Sequence, residues 1–320
     1  MARETFTIAP RGPFSLAEAA LFGFGQRSDS AWDGVMRLAF CLDGYEQPVG
    51  VEVRQDESGV VSAVVVDSAV VVDSAVVADS AAVVDGAHVR RPSLAAVERQ
   101  VARVLSLDHD GTEFTKIADR DPVIARLQQV APGLRPPLFY SPYEAAAWSV
   151  LSARRPFRQM MAVRQRLSEA HGATFDLAGQ PLAAFPLPEA LLELESFPGI
   201  ATEKLERLHG VARAALNGQL DADKLIELGP EAAMAQLQQI KGIGPFYSSL
   251  IVIRGTGFAD VLPVAEPQAL ALTSQLYDIG EPLTEERFRE VAEPWRPLRT
   301  WAVVLIRAAG PRLLEDRVLA

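Results

Sequence analysis

The segment IKGIGPF, residues 240–246, constrains the fold more than any other stretch, because it places two glycines and a proline within seven residues. Gly242 and Gly244 allow a tight turn with positive φ between two helices, the second of which starts at Pro245. Such a turn exposes backbone N–H groups that can hold a phosphate without a basic side chain. Alone, the pattern is more typical of a simple corner between two helices.

Helical periodicity dominates the second part of the chain. Apolar residues recur there at intervals of three and four, and Gly or Pro separates most of the segments. Segments with this spacing include PYEAAAWSVLSA, RQMMAVRQRLSEAHG, ATEKLERLHGVARAAL and RTWAVVLIRAAG. We therefore expect residues 126–320 to form an all-helical region.

The first part of the chain has the alternation of strands. FTIAP, MRLAFCLDG, VGVEVRQ and GVVSAVVV alternate apolar and polar residues, with turn residues such as Gly44 and Gly59 between them. SLAAVERQVARVLSL follows with helical spacing. We expect residues 1–125 to form an antiparallel sheet domain with helices, and the whole chain to have an α+β fold.

Residues 64–86 form a low-complexity insertion in the predicted sheet domain. VVVDSAVVVDSAVVADSAAVVDG is a near-hexapeptide repeat whose valines suit a strand and whose aspartates suit a turn. Its few copies do not suffice for a stable solenoid. We interpret it as an expanded hairpin or loop and assign it no function; a β-helical or adhesive segment is the alternative.

Composition excludes several classes of protein. The single cysteine, Cys41, cannot build a disulfide framework, a four-cysteine zinc site or a four-thiolate iron–sulfur cluster. A net charge of −10 argues against a protein that coats nucleic acid non-specifically. We read no signal peptide and no apolar stretch of the ~20 residues needed to span a bilayer, so we expect a cytoplasmic protein.

The residues that follow the turn carry a family resemblance. LQQIKGIGPFYSSLIVIRGTGFADVLPVAE, residues 237–266, resembles the helix-hairpin-helix of DNA glycosylases together with the loop after it. FPGIATEKLERLHGVA and PWRPLRTWAVVLIRAAG are similar, more narrowly, to the alkylpurine branch, DNA-3-methyladenine glycosylase II. The resemblance implies base excision repair, in which the bond between an alkylated purine and deoxyribose is hydrolysed.

Such a reaction builds positive charge on the sugar, so an anion must lie close to it. The resemblance assigns this role to Glu266, at a place where the family usually has the shorter aspartate. Asp260 is the alternative acid, although we expect it to brace the loop. Phe246 stands where strand-nicking relatives have a lysine that forms a Schiff base, so we expect a monofunctional enzyme without a lyase step.

The resemblance also places a base pocket and a DNA-binding surface. Aromatic side chains can stack on a cationic purine, and we expect pocket walls from Phe246, Tyr247, Trp295 and Trp301, with Arg307 where relatives place an aromatic residue. Expected DNA contacts are Lys241, Gly242, Ile243, Gly244, Arg154 and Arg155, with Arg154 at the position of the family's apolar wedge.

We expect duplex DNA with alkylated bases as the partner, no membrane association, a monomer, no metal site and no required cofactor; the sequence leaves open whether a monovalent cation binds at the hairpin. Two alternatives remain. A catalytically impaired damaged-DNA-binding protein of the same fold would accommodate Glu266, Arg307 and Arg154 at their unusual places. An interaction protein would bind a partner through its acidic sheet domain and the repeat.

Overall fold

Four antiparallel strands form the N-terminal sheet in the computed structural model, which describes residues 4–22, 32–66 and 92–319. Leu38 pairs with Val51 and Val51 pairs with Val65, and all three are buried on one face of the sheet. The strands, in the spatial order β1-β4-β3-β2, are β1 (Glu4–Ile8), β2 (Met36–Cys41), β3 (Pro48–Gln55) and β4 (Val61–Val66).

Helices make up most of the described chain after the sheet. Many start where the sequence offers a cap or a proline at the first helical position; the Ser141 hydroxyl, for example, accepts a hydrogen bond from the Glu144 N–H at 3.2 Å. The helices are α1 (Leu16–Phe22), α2 (Leu94–Val104), α3 (Thr112–Thr115), α4 (Pro122–Val130), α5 (Pro142–Ser152), α6 (Phe157–His171), α7 (Pro188–Leu192), α8 (Thr202–Leu216), α9 (Ala222–Leu228), α10 (Pro230–Leu237), α11 (Pro245–Ile251), α12 (Pro267–Leu276), α13 (Glu285–Val291) and α14 (Arg299–Leu319).

The α+β class is confirmed, but the second part is not all-helical. A two-stranded antiparallel hairpin follows α6. Ala178 and Gly179 both have positive φ at its turn, which is the geometry of a tight hairpin turn. Phe175 packs so closely on the N-terminal sheet that a Cβ on Gly50 would lie 2.6 Å from its ring. The two strands are β5 (Thr174–Leu177) and β6 (Gln180–Ala183).

Three main apolar clusters hold the described residues together. The first lies between the sheet and helices α1 and α2. The second joins α5, α6 and the helices from α7 to α11, and the third joins α3 and α4 to α12, α13 and α14. The predicted domain boundary between residues 125 and 126 stays a prediction; α4 runs across that point.

Buried polar contacts fix the sheet to the helices. The Tyr45 hydroxyl donates to the Leu220 carbonyl at 2.8 Å. At the start of α5, the buried Glu144 carboxylate pairs with Arg164 at 2.7 Å and accepts from the Cys41 N–H at 3.5 Å. Burial raises the pKa of Glu144, and the charge of Arg164 opposes that rise. The sheet is thereby tied to the helices that carry the candidate site.

The low-complexity segment and the predicted absence of a membrane span can be compared with the structure only over the described residues. Of the low-complexity segment 64–86, residues 64–66 close β4, and the remainder lies outside the described residues. Among the helices of the described ranges, none combines the length and the apolar character needed to cross a bilayer.

Candidate functional site

The predicted glycine turn between two helices is present between α10 and α11, and Pro245 is the first residue of α11. Lys241 and Gly242 are exposed, Gly244 is half-buried, and Ile243 is buried and anchors the turn in the helical core. The Ile243 N–H donates to the Ile240 carbonyl at 3.0 Å, which closes the turn. The turn therefore presents exposed backbone on a rigid support.

Only one of the two glycines needs its conformational freedom, which corrects the expectation of positive φ for both. Gly242 has a φ of 101°, a conformation that L-residues rarely adopt, and a Cβ there would lie 3.1 Å from Cδ of Arg207. Gly244 has a φ of −93°, and a Cβ there would meet nothing within 4 Å. Gly242 thus shapes the turn, whereas Gly244 keeps its surface free of side-chain atoms.

The turn that contains Arg154 and Arg155, called the arginine turn below, follows α5. This turn and the hairpin both contact the same helix, α8. The Lys204 ammonium donates to the carbonyl groups of Val150, Leu151 and Ala153 at 2.9, 2.6 and 3.0 Å, and so caps the end of α5. Arg207, three residues further along α8, lies against Gly242. Residues three apart share one side of a helix, so the structure brings the predicted Arg154–Arg155 turn and the hairpin together.

This region is a cluster of cations. Arg154 and Arg155 are exposed, and Arg154 has a φ of 55° in the turn itself. The pKa of Lys204 is lowered, first by burial and then by the charges of Arg155 and Arg207. Sequence reasoning missed Lys204 and Arg207, although their spacing of three in TEKLERL was a usable signal. We call the set the basic face: Arg154, Arg155, Lys204, Arg207 and Lys241.

A third residue that sequence reasoning missed is Phe157, the first residue of α6. Its side chain is 59% exposed and flanked by exposed Arg155 and Arg158. The inner edge of its ring contacts the buried Trp148, with ring centroids 5.4 Å apart. An apolar ring therefore projects from the arginine turn, three residues after the expected wedge position at Arg154.

Glu266 occupies the N-cap of α12. The following proline is the first helical residue, and the Glu266 Oε2 accepts a hydrogen bond from the Ala269 N–H at 2.5 Å. The side chain keeps 18% of its surface exposed. The start of α12 thus fixes one end of the carboxylate and leaves part of it accessible, and the positive end of the helix dipole favours its negative charge.

Arg307 of α14 lies beside this carboxylate, so the structure brings these two predicted residues together. Its Nε is 3.7 Å from Glu266 Oε2, and its Nη2 donates to the Gln268 Oε1 at 2.7 Å. A second, fully buried arginine lies near, since burial and, after it, the charge of Arg307 lower the pKa of Arg254 to about 9. The acid is therefore paired with one guanidinium group, that of Arg307.

The predicted aromatic walls are placed in two different environments. Phe246 is 44% exposed beside the hairpin, and its ring contacts half-buried Tyr247 edge to face at 5.3 Å. Trp295 is fully buried and donates its Nε1–H to the Asp121 carboxylate at 2.8 Å. Trp301 is also buried, in the core with α3 and α4. As a correction, the two tryptophans offer no open face to a base, because core packing surrounds them.

Asp260 braces the loop before Glu266. Its carboxylate accepts from Arg299 Nε at 2.9 Å and from Arg296 Nη1 at 3.0 Å, which ties the loop to the start of α14. Both oxygens are used in this network, so Asp260 is a poorer candidate for the catalytic anion than Glu266. Within the described ranges, no cluster of three or more His, Cys, Asp or Glu side chains could hold a metal ion.

The fold is that of the helix-hairpin-helix DNA glycosylases. A solved 3-methyladenine DNA glycosylase from Archaeoglobus fulgidus superimposes with a TM-score of 0.73 over 98% of this chain and 99% of that one, at 20% sequence identity. An 8-oxoguanine glycosylase/lyase from Clostridium acetobutylicum superimposes with a TM-score of 0.62 over 96% and 98%, at 16% identity. At these identities the comparison shows the fold alone.

Sequence comparison narrows the resemblance to the alkylpurine branch, which is thereby confirmed. The DNA-3-methyladenine glycosylase of Bacillus subtilis is 24% identical over 200 residues, which cover 61% of this chain and 66% of the relative. The probable bifunctional transcriptional activator/DNA repair enzyme AlkA of Mycobacterium tuberculosis is 27% identical over 203 residues, or 62% and 40%. The chain thus spans less than two thirds of either relative. No family model matches it.

Proposed function

We propose that this protein is a monofunctional DNA glycosylase that excises alkylated purines of the 3-methyladenine type from duplex DNA in base excision repair. The names of the sequence relatives support the class of reaction. The observation that carries the proposal is the placement of Glu266: its Oε2 is held by the first turn of α12, and the rest of the carboxylate is partly exposed.

In the proposed reaction, the bond between the purine nitrogen and C1′ of deoxyribose breaks, and the bonding electron pair leaves with the base. A 3-methylated adenine carries positive charge in DNA, so it departs as a neutral base without a proton from an acid. Positive charge then develops on the sugar, where the fixed carboxylate of Glu266 stabilises it. Water adds to C1′ and releases a proton, which completes the hydrolysis without a cofactor.

The surface beside the site suits the DNA that this reaction needs. The base must leave the stack to reach a carboxylate, and the gap in the duplex must be filled. The basic face and the hairpin would contact phosphates, and Phe157 supplies an exposed apolar ring on the same turn. We propose contacts there from Arg154, Arg155, Lys241 and the hairpin residues 242–244, with Phe246 and Tyr247 near the extruded base.

A lyase step does not belong to the proposal. A glycosylase that also nicks the strand needs an amine to form a Schiff base with the sugar, and Phe246 stands at the place of that lysine. Lys204, whose pKa is lowered, is occupied by three carbonyl groups at the end of α5. These two observations favour hydrolysis over the reaction of a glycosylase/lyase.

The test is single-turnover release of methylated purines from alkylated duplex DNA, with binding to an abasic-site analogue measured in parallel. We expect Glu266→Gln to lower the rate of release by at least about 100-fold and to leave binding nearly unchanged. Glu281→Gln is the matched control, because this exposed acid follows α12 rather than preceding it. Binding without release by the wild type would support the damaged-DNA-binding alternative instead.

A further inference from the structure

Arg307 lies beside the proposed catalytic acid but has no role in the proposed reaction itself. Its side chain is 32% exposed, so it belongs to the wall of the site rather than to the core. The residue reaches Glu266 from α14, whereas the acid itself starts α12. Two elements of the third apolar cluster therefore meet at the carboxylate.

Both contacts of the Glu266 carboxylate involve the same oxygen atom. The Ala269 N–H donates to Oε2 at 2.5 Å, and Arg307 Nε lies 3.7 Å from Oε2. Among the described residues, the one hydrogen bond to this carboxylate goes to Oε2. An arrangement that holds one oxygen from two sides leaves the other oxygen for a substrate.

One nitrogen of the Arg307 guanidinium makes a hydrogen bond, and another faces Glu266 without making one. Nη2 donates to the Gln268 Oε1 at 2.7 Å. Nε is shielded from solvent and has no hydrogen-bond partner within the described residues, and its 3.7 Å separation from Oε2 is about half an ångström beyond the usual limit for a hydrogen bond. A buried donor without a partner is unfavourable. Catalytic hydrogen bonds often shorten only when the substrate is bound, and a small approach would satisfy this donor.

The chemistry of glutamate makes such a contact useful. Its side chain has one more rotatable bond than that of aspartate, so the carboxylate samples more positions unless neighbours hold it. A displacement of about 1 Å at a reacting centre can cost about 100-fold in rate. A longer acid in the proposed catalytic position therefore requires restraint.

We infer that Arg307 is a positioning residue for Glu266: anchored by Gln268, its guanidinium holds Oε2 and directs Oε1 toward the sugar. This inference rests on the proposed function, because it assumes that Glu266 is the anion in the reaction. Arg307 itself touches no reacting atom. It acts through the acid, and its effect must disappear when the acid is removed.

The experiment compares Arg307→Gln and Arg307→Lys with the wild type in single-turnover release of methylated purines, alongside binding to an abasic-site duplex. We expect Arg307→Gln to slow release about 10- to 100-fold and to change binding by less than about threefold. Arg307→Lys should recover part of the rate because it keeps the charge but lacks the planar fork. The matched control is Arg312→Gln, which should leave the rate unchanged. Arg312 lies on the same helix as Arg307, but it pairs with Glu18, at 2.8 Å.

A double variant isolates the coupling between the two residues. Glu266→Gln with Arg307→Gln should be no slower than Glu266→Gln alone, because the arginine acts only through the carboxylate. The inference would be overturned if Arg307→Gln released base as fast as the wild type. It would also be overturned if Arg307→Gln lost thermal stability along with rate and Arg307→Lys recovered neither. Failure of the proposed function looks different: the wild type would release no base, or Glu266→Gln would be fully active.

Discussion

At the residue scale, Phe157 gives the clearest test of the DNA-binding surface. Its ring is 59% exposed and contacts only one buried aromatic, Trp148, along its inner edge. An apolar ring on a cationic turn suits insertion between base pairs. We expect Phe157→Ala to weaken binding to an abasic-site duplex by roughly tenfold, which corresponds to about 1.4 kcal/mol, and to change the free energy of unfolding little. Binding titrations and thermal unfolding measure the two effects.

The matched control for this prediction is Leu216→Ala. Leu216 is 46% exposed at the far end of α8, so it resembles Phe157 in exposure but not in location. Its removal should leave DNA binding unchanged. Equal binding by the wild type and Phe157→Ala would show that the exposed ring is not used on DNA.

Single residues of the site differ in how well the sequence predicts them. Glu266 follows the hairpin at a fixed distance, so a local motif identifies it. The contacts among Arg307, Gln268 and Glu266 join α12 to α14, and no local pattern encodes them. Trp295 and Trp301 were misplaced because residue type indicates large apolar area but not which neighbours cover it; here Asp121 and the third cluster do.

At the scale of elements, the two glycines of the hairpin have different roles: Gly242 is needed for folding, and Gly244 is expected to matter for DNA binding. Gly242→Ala must adopt a positive φ and bring a Cβ to 3.1 Å from Arg207, so we expect a loss of about 1–2 kcal/mol in the free energy of unfolding. Gly244→Ala meets no steric obstacle in the free protein, so its stability should change little. Denaturant unfolding tests both expectations.

The same pair of variants tests what the hairpin surface contacts. If the backbone of the turn approaches DNA phosphates, the methyl group of Gly244→Ala should weaken DNA binding although the protein stays stable. A stable Gly244→Ala protein that binds an abasic-site duplex as well as the wild type would argue that the hairpin is only a corner between helices.

Elements with strong periodicity were predictable, and the short β5–β6 hairpin was not. The four strands of the sheet and the long helices follow apolar patterns of period two or of period three to four. The β5–β6 hairpin was missed because each strand has only four residues and its turn is Ala178-Gly179 rather than a strong hairpin signal. Phe175 packs on the main sheet and stabilises the hairpin through a tertiary contact, which no local pattern encodes.

At the scale of the whole molecule, Arg135 shows how the sheet domain is built onto the helices. Its buried guanidinium donates to the Pro13, Ser106 and His109 carbonyl groups at 3.0, 3.0 and 3.1 Å, and burial lowers its pKa to about 10. It also lies over the Trp301 ring at 5.6 Å. One cation thus links the N-terminal segment, the end of α2 and α14, although no sequence motif marks it. The scaffold of the site depends on such long-range contacts.

At this scale, a change in the repeat at residues 64–86 distinguishes the two functional hypotheses, a glycosylase and an interaction protein. Residues 64–66 belong to β4, so the informative change replaces only residues 67–86 with a Gly-Ser sequence of equal length, because Gly-Ser linkers are flexible. Neither Glu266 nor any residue of the basic face lies in the replaced segment. We therefore expect single-turnover release of methylated purines to stay within about threefold of the wild-type rate.

Circular dichroism and thermal unfolding of the replacement variant provide the control for folding. A folded variant that has lost base release would assign the repeat a part in the glycosylase reaction. A variant that retains release shows that catalysis does not need residues 67–86. The acidic repeat could then bind a partner only as an addition to that reaction, and the interaction-protein alternative would lose its standing as the main function.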